Sequence, residues 1–262
     1  INPFNGFYPI EENYEELKKY LPEDKNGKIP FDVLNPRFLD VYLKLIIHKL
    51  DSYGVDFYWL DYFDKKNLKV LNTLKHYQFY DMMRDYRRRP LLLAPNTLVA
   101  SHRYPVLYSG KTKVSWNTLK AIAFHNINST NVGISWWSHD IGGYYEGIED
   151  NELYIRYVQL GTFSPILKFG ADSSKYYKRE PWRWGIKAYQ ITKDYLQLRH
   201  KLIPYLYSEA YSNSKFGIPL ITPLYYSTPN MYDDPLYKTE YYFGSQLFIS
   251  PITTSKDYIM NR

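Results

Sequence analysis

This 262-residue sequence predicts an α/β fold organised on a parallel sheet. Three observations predict it. Short apolar stretches of strand composition alternate with segments of helical periodicity. The first clear helix passes into its strand across a single glycine, with no linker between them. Polar or acidic residues follow several of the strands, and in parallel folds such positions collect on one face.

Taken in order, residues 35–53 read as a helix, with Asn35 as its cap and Pro36 in its first turn. Phe38, Tyr42, Leu45, Ile46, Leu50 and Tyr53 recur on one face at helical spacing. Gly54 supplies a left-handed stop, and a strand over 55–60 begins at once. Residues 67–83 are predicted helical, and PLLLA at 90–94 is the next strand, with a weaker candidate in PVLYS at 105–109. A helix over 116–126 leads to the strand NVGISWW at 131–137. A helix over 151–160 leads to TFSPILKF at 162–169, and a long helix spans 186–212. Right-handed crossovers are the expected connections. After residue 215 the texture changes to short strands, turns and prolines, which divides the chain into 1–214 and 215–262.

Composition narrows the classes of function. With 45% hydrophobic residues the chain can bury one sizeable core. The absence of cysteine excludes disulfides, thiolate metal sites and a thiol nucleophile. The net charge of +6 comes from 33 basic and 27 acidic residues spread along the chain. Its one dense run, RDYRRR at 84–89, reads as a solvated loop; a nucleic-acid partner would need a longer basic face and a matching motif. No apolar run approaches the roughly 20 residues of a membrane helix. The opening INPFNG carries no signal-peptide core, so the expectation is a cytoplasmic rather than secreted protein, with a start that reads like the interior of something longer. The 30 Tyr, 13 Phe and 6 Trp leave two causes open, a codon bias and the use of ring faces in sugar-binding clefts. His76, Asp81 and Asp85 form no persuasive metal cluster.

The strand ends carry the candidate chemistry. Asp61 follows the first strand, Pro95 and Asn96 the second, Ser109 to Lys111 the third, His139 and Asp140 the fourth, and Lys168 to Gly170 the fifth. Asp61 thus stands where a parallel barrel places its reactive groups. The structural alternative is an Asp that caps the turn through Asp64 and Lys65.

Several of these segments resemble glycoside hydrolase family 31, the α-glucosidase and α-xylosidase family. VDFYWLD at 55–61 looks like the strand-four motif ending in the nucleophile, and SHRYPVLYSGKTKVSW at 101–116 like the segment of the general acid/base. VGISWWSHDIGG at 132–143 matches the strand-seven motif, whose Asp binds the sugar. YIRYVQLGTFSPILKF at 154–169 matches the strand-eight segment, KREPWRW at 178–184 the stretch after it, and YYFGSQLFISPIT at 241–253 the entry to a following β-sandwich. The resemblance implies an incomplete (β/α)8 TIM barrel with its early strands missing, followed by the start of a C-terminal β-sandwich.

It also implies a retaining mechanism, in which one carboxylate attacks the anomeric carbon and a second, about 5–5.5 Å away, protonates the leaving oxygen. Asp61 is then the nucleophile. The acid/base position holds Lys111, in Ser109-Gly110-Lys111-Thr112, where the family reads Ser-Gly-Asp-Thr. An unperturbed lysine titrates near about 10.4 and is a poor acid toward a glycosidic oxygen. Two further positions depart: Pro95 stands at a substrate-binding Arg, and Lys168-Phe169-Gly170 at an Arg-x-His pattern. Asp140 matches the sugar-binding carboxylate, with turn capping as its alternative. Of Trp136 and Trp137, on alternate faces of one strand, one belongs to the core and the other near the cleft, and Trp137 is taken with His139 as substrate-binding. His139 would hydrogen-bond a hydroxyl, unless it is structural. Trp59 and Trp116 read as packing residues, and Arg103 and Tyr104 as ordering their loop.

The implied partner is an α-linked oligosaccharide or glucoside, with no cofactor and no metal. The rival is a catalytically inactive relative that keeps Asp61 and Asp140. A third reading, transglycosylase or lyase, keeps the family and drops hydrolysis.

Overall fold

The structure is a computed structural model in which residues 3–61, 68–87, 89–95, 100–104, 106–172, 178–235 and 237–257 are described. Asn96, Asp64 and Lys65 lie outside them. The chain forms two compact units, residues 1–104 and 105–262.

In the first unit a short helix α1 (Tyr14–Lys18) precedes α2 (Pro36–Tyr42). Asn35 caps α2 as its sequence predicts, its Oδ1 accepting from the N–H groups of Arg37 at 2.9 Å and Phe38 at 3.4 Å. The helix does not stay regular: Leu43–Ile47 form a widened π turn before α3 (His48–Ser52). Gly54, at φ +89°, ends the run. The strand β1 is only Tyr58–Trp59, shorter than predicted, because residues 55–57 pass in irregular chain before the ladder begins. After α4 (Leu68–Met82) comes β2 (Leu92–Pro95), parallel to β1 with Tyr58 opposite Leu92. Leu17, Ile29, Phe38, Tyr42, Ile46, Leu71, Leu74 and Leu92 build the core beneath this pair.

A polar network ties α3 to β1. The Tyr58 hydroxyl donates to Asp51 Oδ1 at 2.6 Å and to the Ile47 carbonyl at 3.2 Å. Arg84 bonds Asp51 and, at 2.7 Å, Asp81, whose other oxygen meets His48 Nε2 at 2.9 Å. Arg84, Arg87 and Arg89 nonetheless stay exposed, as the sequence predicts for this loop. Arg87 pairs with Asp85 at 3.0 Å.

Lys75 on α4 is fully buried, its ammonium 3.2 Å from Ser101 Oγ and 4.8 Å from the centre of the Tyr104 ring. Burial pushes its pKa down to about 8. Between that value and the unfolded value the unfolded chain holds the extra proton, so stability rises with pH in this window. The urea midpoint is expected to climb from pH 8 to 9.5, by about 1–2 kcal/mol in stability, before buried tyrosines begin to oppose it. Lys75→Met should flatten that climb; an unchanged slope would refute the assignment.

The second unit holds β3 (Val106–Tyr108), β4 (Lys113–Val114), α5 (Trp116–Asn128), β5 (Trp137–Ile141), β6 (Tyr145–Gly147), α6 (Asn151–Thr162) and β7 (Ile166–Phe169). Strands β3, β5 and β7 run parallel, with Tyr108 opposite Ser138 and Asp140 opposite Lys168. Ser115 caps α5 through Thr118 N–H at 3.1 Å, and Asp150 caps α6 through Glu152 N–H at 2.8 Å. The strand expected at 131–137 lies later. Gly133, at φ +76°, and the bond from Ile134 N–H to the Ser129 carbonyl at 3.1 Å hold that stretch in a turn. His139 and Asp140 therefore sit within β5 instead of after it.

The long helix predicted over 186–212 is two, α7 (Gly185–Lys201) and α8 (Ile203–Phe216). Pro204 lacks an N–H, which suits the first turn of a new helix and not the interior of an old one. Arg199 of α7 donates to the carbonyls of Thr162 at 2.8 Å, Ser164 at 2.7 Å and Pro165 at 2.7 Å. It closes the end of α6 and directs the chain into β7; burial pushes its pKa down to about 10. The last strands, β8 (Ile221–Pro223), β9 (Tyr241–Phe243) and β10 (Leu247–Ile249), form an antiparallel sheet. Ile221, Tyr241 and Phe243 share one core with Leu119, Ile122 and Tyr157. Among the described residues no helix is long and apolar enough to cross a membrane.

Candidate functional site

Asp61 belongs to the first unit. It stands one residue beyond β1, and the intervening Leu60 is buried with its N–H on the Leu93 carbonyl at 2.8 Å, so the ladder carries the chain to the carboxylate. Asp61 itself is partly exposed. Trp59, two residues earlier, is 46% exposed, which departs from its reading as a packing residue.

The other predicted site residues belong to the second unit. Asp140 points from the same side of the sheet as its register partner Lys168, and the Lys168 ammonium donates to its Oδ1. The Tyr108 hydroxyl, from β3, donates to its Oδ2. Asp140 is 0% exposed, and the Lys168 ammonium also lies 4.7 Å from the Tyr108 ring centre. One carboxylate, one ammonium and one phenol thus meet at the buried Asp140. Gly170 is part of its geometry: a Cβ there would stand 2.5 Å from Asp140 Oδ1 and 3.4 Å from Lys168 Nζ.

Lys111 lies beyond β3 and is exposed, with its ammonium 4.9 Å from the centre of the Tyr144 ring. A cation over a ring face is attracted by the ring quadrupole. Tyr144 is fixed in turn by its N–H on the Thr112 carbonyl at 2.7 Å. Gly142, at φ +97°, has room only for a hydrogen, because Arg179 crosses it: a Cβ would lie 2.5 Å from Arg179 Nε. Arg179 donates to the Gly143 carbonyl at 2.7 Å, and burial lowers its pKa.

Trp137 and His139 are both in the core. Trp137 is 1% exposed, packs on His125 with ring centres 4.3 Å apart, and donates its indole N–H to His139 Nδ1 at 3.2 Å. His139 Nε2 lies 2.6 Å from Asn126 Oδ1, and Asn126 donates to Ser164 Oγ at 3.2 Å. With Nδ1 accepting and Nε2 donating, this network assigns a neutral imidazole. Desolvation, then the nearby His125 and Lys168, hold its pKa well below the usual histidine range. Trp136 is the half-buried member of the pair, with its indole on Asn213 Oδ1 at 3.1 Å. Trp116 packs on the core and donates to Asp150 Oδ2 at 3.0 Å. Tyr104 orders its loop through a 3.1 Å contact with His76 Nδ1.

Sequence reasoning missed Tyr108, Asn126 and Arg179. Tyr108 sits at an apolar position of a predicted strand, and only the register with β5 shows what its hydroxyl reaches.

Comparison with known proteins adds the family. The model of the glycosyl hydrolases family 31 TIM-barrel domain matches residues 9–209. An alpha-xylosidase from Saccharolobus solfataricus is 28% identical, over 76% of this chain and 31% of that protein. The neutral alpha-glucosidase C of Mus musculus is 29% identical, over 64% of this chain and 18% of that protein. The cycloalternan-degrading enzyme from Trueperella pyogenes in complex with cycloalternan superposes with a TM-score of 0.76 at 16% identity, covering 97% of this chain and 40% of that one. The chain therefore spans less than a third of the length of these curated relatives, and its parallel strands are part of an incomplete TIM barrel. It belongs to glycosyl hydrolase family 31, within that family's TIM-barrel domain.

Proposed function

We propose that this chain forms the core of a family 31 α-glycosidase-type domain directed at α-linked glucosides, with Asp61 as nucleophile and Lys111 in the acid/base position. The observation that carries the reading is Asp61 itself, a carboxylate delivered at the C-terminal end of β1 by a parallel ladder inside a family 31 barrel segment. An ammonium at 111 cannot protonate a poor leaving group as a carboxylic acid would, so ordinary glycosides turn over slowly or not at all. A substrate whose leaving group needs no proton bypasses the defect.

α-Glucosyl fluoride is such a substrate. An Asp61 oxygen bonds to the anomeric carbon as fluoride leaves. Azide then attacks that carbon and the ester breaks, returning the carboxylate and releasing glucosyl azide. Intact-mass measurement of the protein at high α-glucosyl fluoride concentration is expected to show one added glucosyl unit, absent from Asp61→Asn, with faster release in azide. Aryl α-glucosides with unactivated phenols should give no measurable turnover.

A second reading, a non-catalytic relative, is favoured by the occupation of both Asp140 oxygens by Lys168 and Tyr108. Complete absence of label on Asp61, in the unaltered protein and in Lys168→Met, would favour it.

A further inference from the structure

Residues 224–240 join β8 to β9 and meet the last turn of α5 around a cavity of about 70 Å³. Asn128 of α5 lines it, with Tyr225, Tyr232 and Tyr237 of the joining segment. The rings are fixed in advance of any ligand. The Tyr225 hydroxyl accepts from Asn131 Nδ2 at 2.7 Å, and the Tyr226 hydroxyl donates to Asn131 Oδ1 at 3.0 Å, so one amide holds two adjacent phenols. Tyr232 stands edge to face with Tyr225, ring centres 5.1 Å apart, and its N–H donates to the Pro229 carbonyl at 3.2 Å. Two ring faces thus meet at a corner, and groups already held lose little freedom on binding. α5 starts after Ser115, next to β4, and its 13 residues advance the chain about 20 Å. The corner is therefore at the opposite end of that helix from the ribbon that follows Lys111.

The polar groups decide what suits it. Asp233 and Lys238 line the same cavity, and among the described residues neither is held in a salt bridge. The carboxylate only accepts hydrogen bonds and the ammonium only donates them. An apolar ligand would strip water from both charges and return nothing. An anion is opposed by Asp233 and a cation by Lys238. A neutral polyhydroxyl ligand with one apolar face fits all of these groups, because its C–H face covers a ring while its hydroxyls both donate and accept. The volume admits several waters, which is room for one edge of a pyranose, with the rest of the sugar against the exposed Tyr232.

We propose that this corner is a second saccharide-binding site, holding one glucose unit of an α-linked oligosaccharide on the Tyr232 ring with its hydroxyls on Asp233 and Lys238. It rests on the function proposed above only for the identity of the sugar. Calorimetric titration with maltotriose, carried out in Asp61→Asn so that no sugar is transformed, should show saturable binding. On that background Tyr232→Ala and Asp233→Ala should each weaken it by about tenfold, whereas Tyr232→Phe, which keeps the ring, should bind as before. Both truncated side chains are exposed, so these variants should melt with the Asp61→Asn protein. Hydroxyl-radical footprinting, read by peptide mass, should show maltotriose protecting Tyr232 and Tyr237. Absence of saturable binding, undiminished binding in Tyr232→Ala, or a sugar-loaded protein whose Tyr232 and Tyr237 stay unprotected would each overturn the site. Neither readout involves the chemistry of Asp61. Failure of the unaltered protein to take up a glucosyl unit there counts against the proposed function and leaves this site to be judged on its own results.

Discussion

Lys111→Asp is expected to leave hydrolysis of an unactivated aryl α-glucoside undetectable, while Asp61 in that variant still takes up a glucosyl unit from α-glucosyl fluoride. The single change restores a group that can donate a proton near neutral pH. It leaves unfilled the two other positions at which the resemblance implies sugar-binding side chains, here Pro95 and Gly170. Acid catalysis acts only on a ring already oriented for attack, and loose orientation forfeits much of the rate. Steady-state assays with one aryl glucoside on the unaltered protein and on Lys111→Asp decide the matter. Recovery of hydrolysis by about 10²–10⁴-fold in Lys111→Asp would show that the acid alone limits the site and that Pro95 and Gly170 do not.

A second large effect is expected on stability. His139→Ala should cost about 3–5 kcal/mol, since it leaves the Trp137 indole N–H and the Asn126 amide oxygen buried without partners and opens a cavity besides. The pH dependence has a definite sign. Folded His139 stays neutral well below the ordinary histidine range, and burial lowers the pKa of His125 in the same direction. Below about pH 6.5 the unfolded chain takes up protons that the folded one refuses, so stability falls as pH falls and is full above that value. Urea midpoints at pH 5 and pH 7 should therefore diverge in the unaltered protein, and the gap should shrink in His139→Gln. An equal gap would contradict the buried, neutral imidazole.

Helix starts were legible from sequence wherever a side chain does the capping, as at Asn35, Ser115 and Asp150, because that chemistry is local. The family was legible for a similar reason: its motifs are short and contiguous. Strand β5 was misplaced because Gly133 spends the first part of an apolar stretch on a turn, and hydrophobicity alone does not distinguish a buried turn from a buried strand. The partners of Asp140 were not legible at all. Lys168 and Tyr108 are far from it in sequence and meet it only through the register of three parallel strands, which no local pattern records. The same holds for Asn126 beside His139, where one helix delivers a single amide to an imidazole across the core. How Asp61 enters the chemistry rests on labelling, as set out above.

The widened turn at Leu43–Ile47 has a bearing on Asp61 that its distance in sequence conceals. A π turn accommodates one residue more than a regular helical turn, and each residue advances a helix by about 100°. Deleting Lys44 would let the helix run evenly from Pro36 to Ser52 and so look like an improvement. The wide turn absorbs that residue within itself, however, so the helix beyond it keeps the phase of a regular one, with Asp51 reaching Tyr58 and His48 reaching Asp81. The swelling is thus a local detour: the insertion is taken up in one turn, and Asp51 still arrives against Tyr58 on the strand that leads to Asp61.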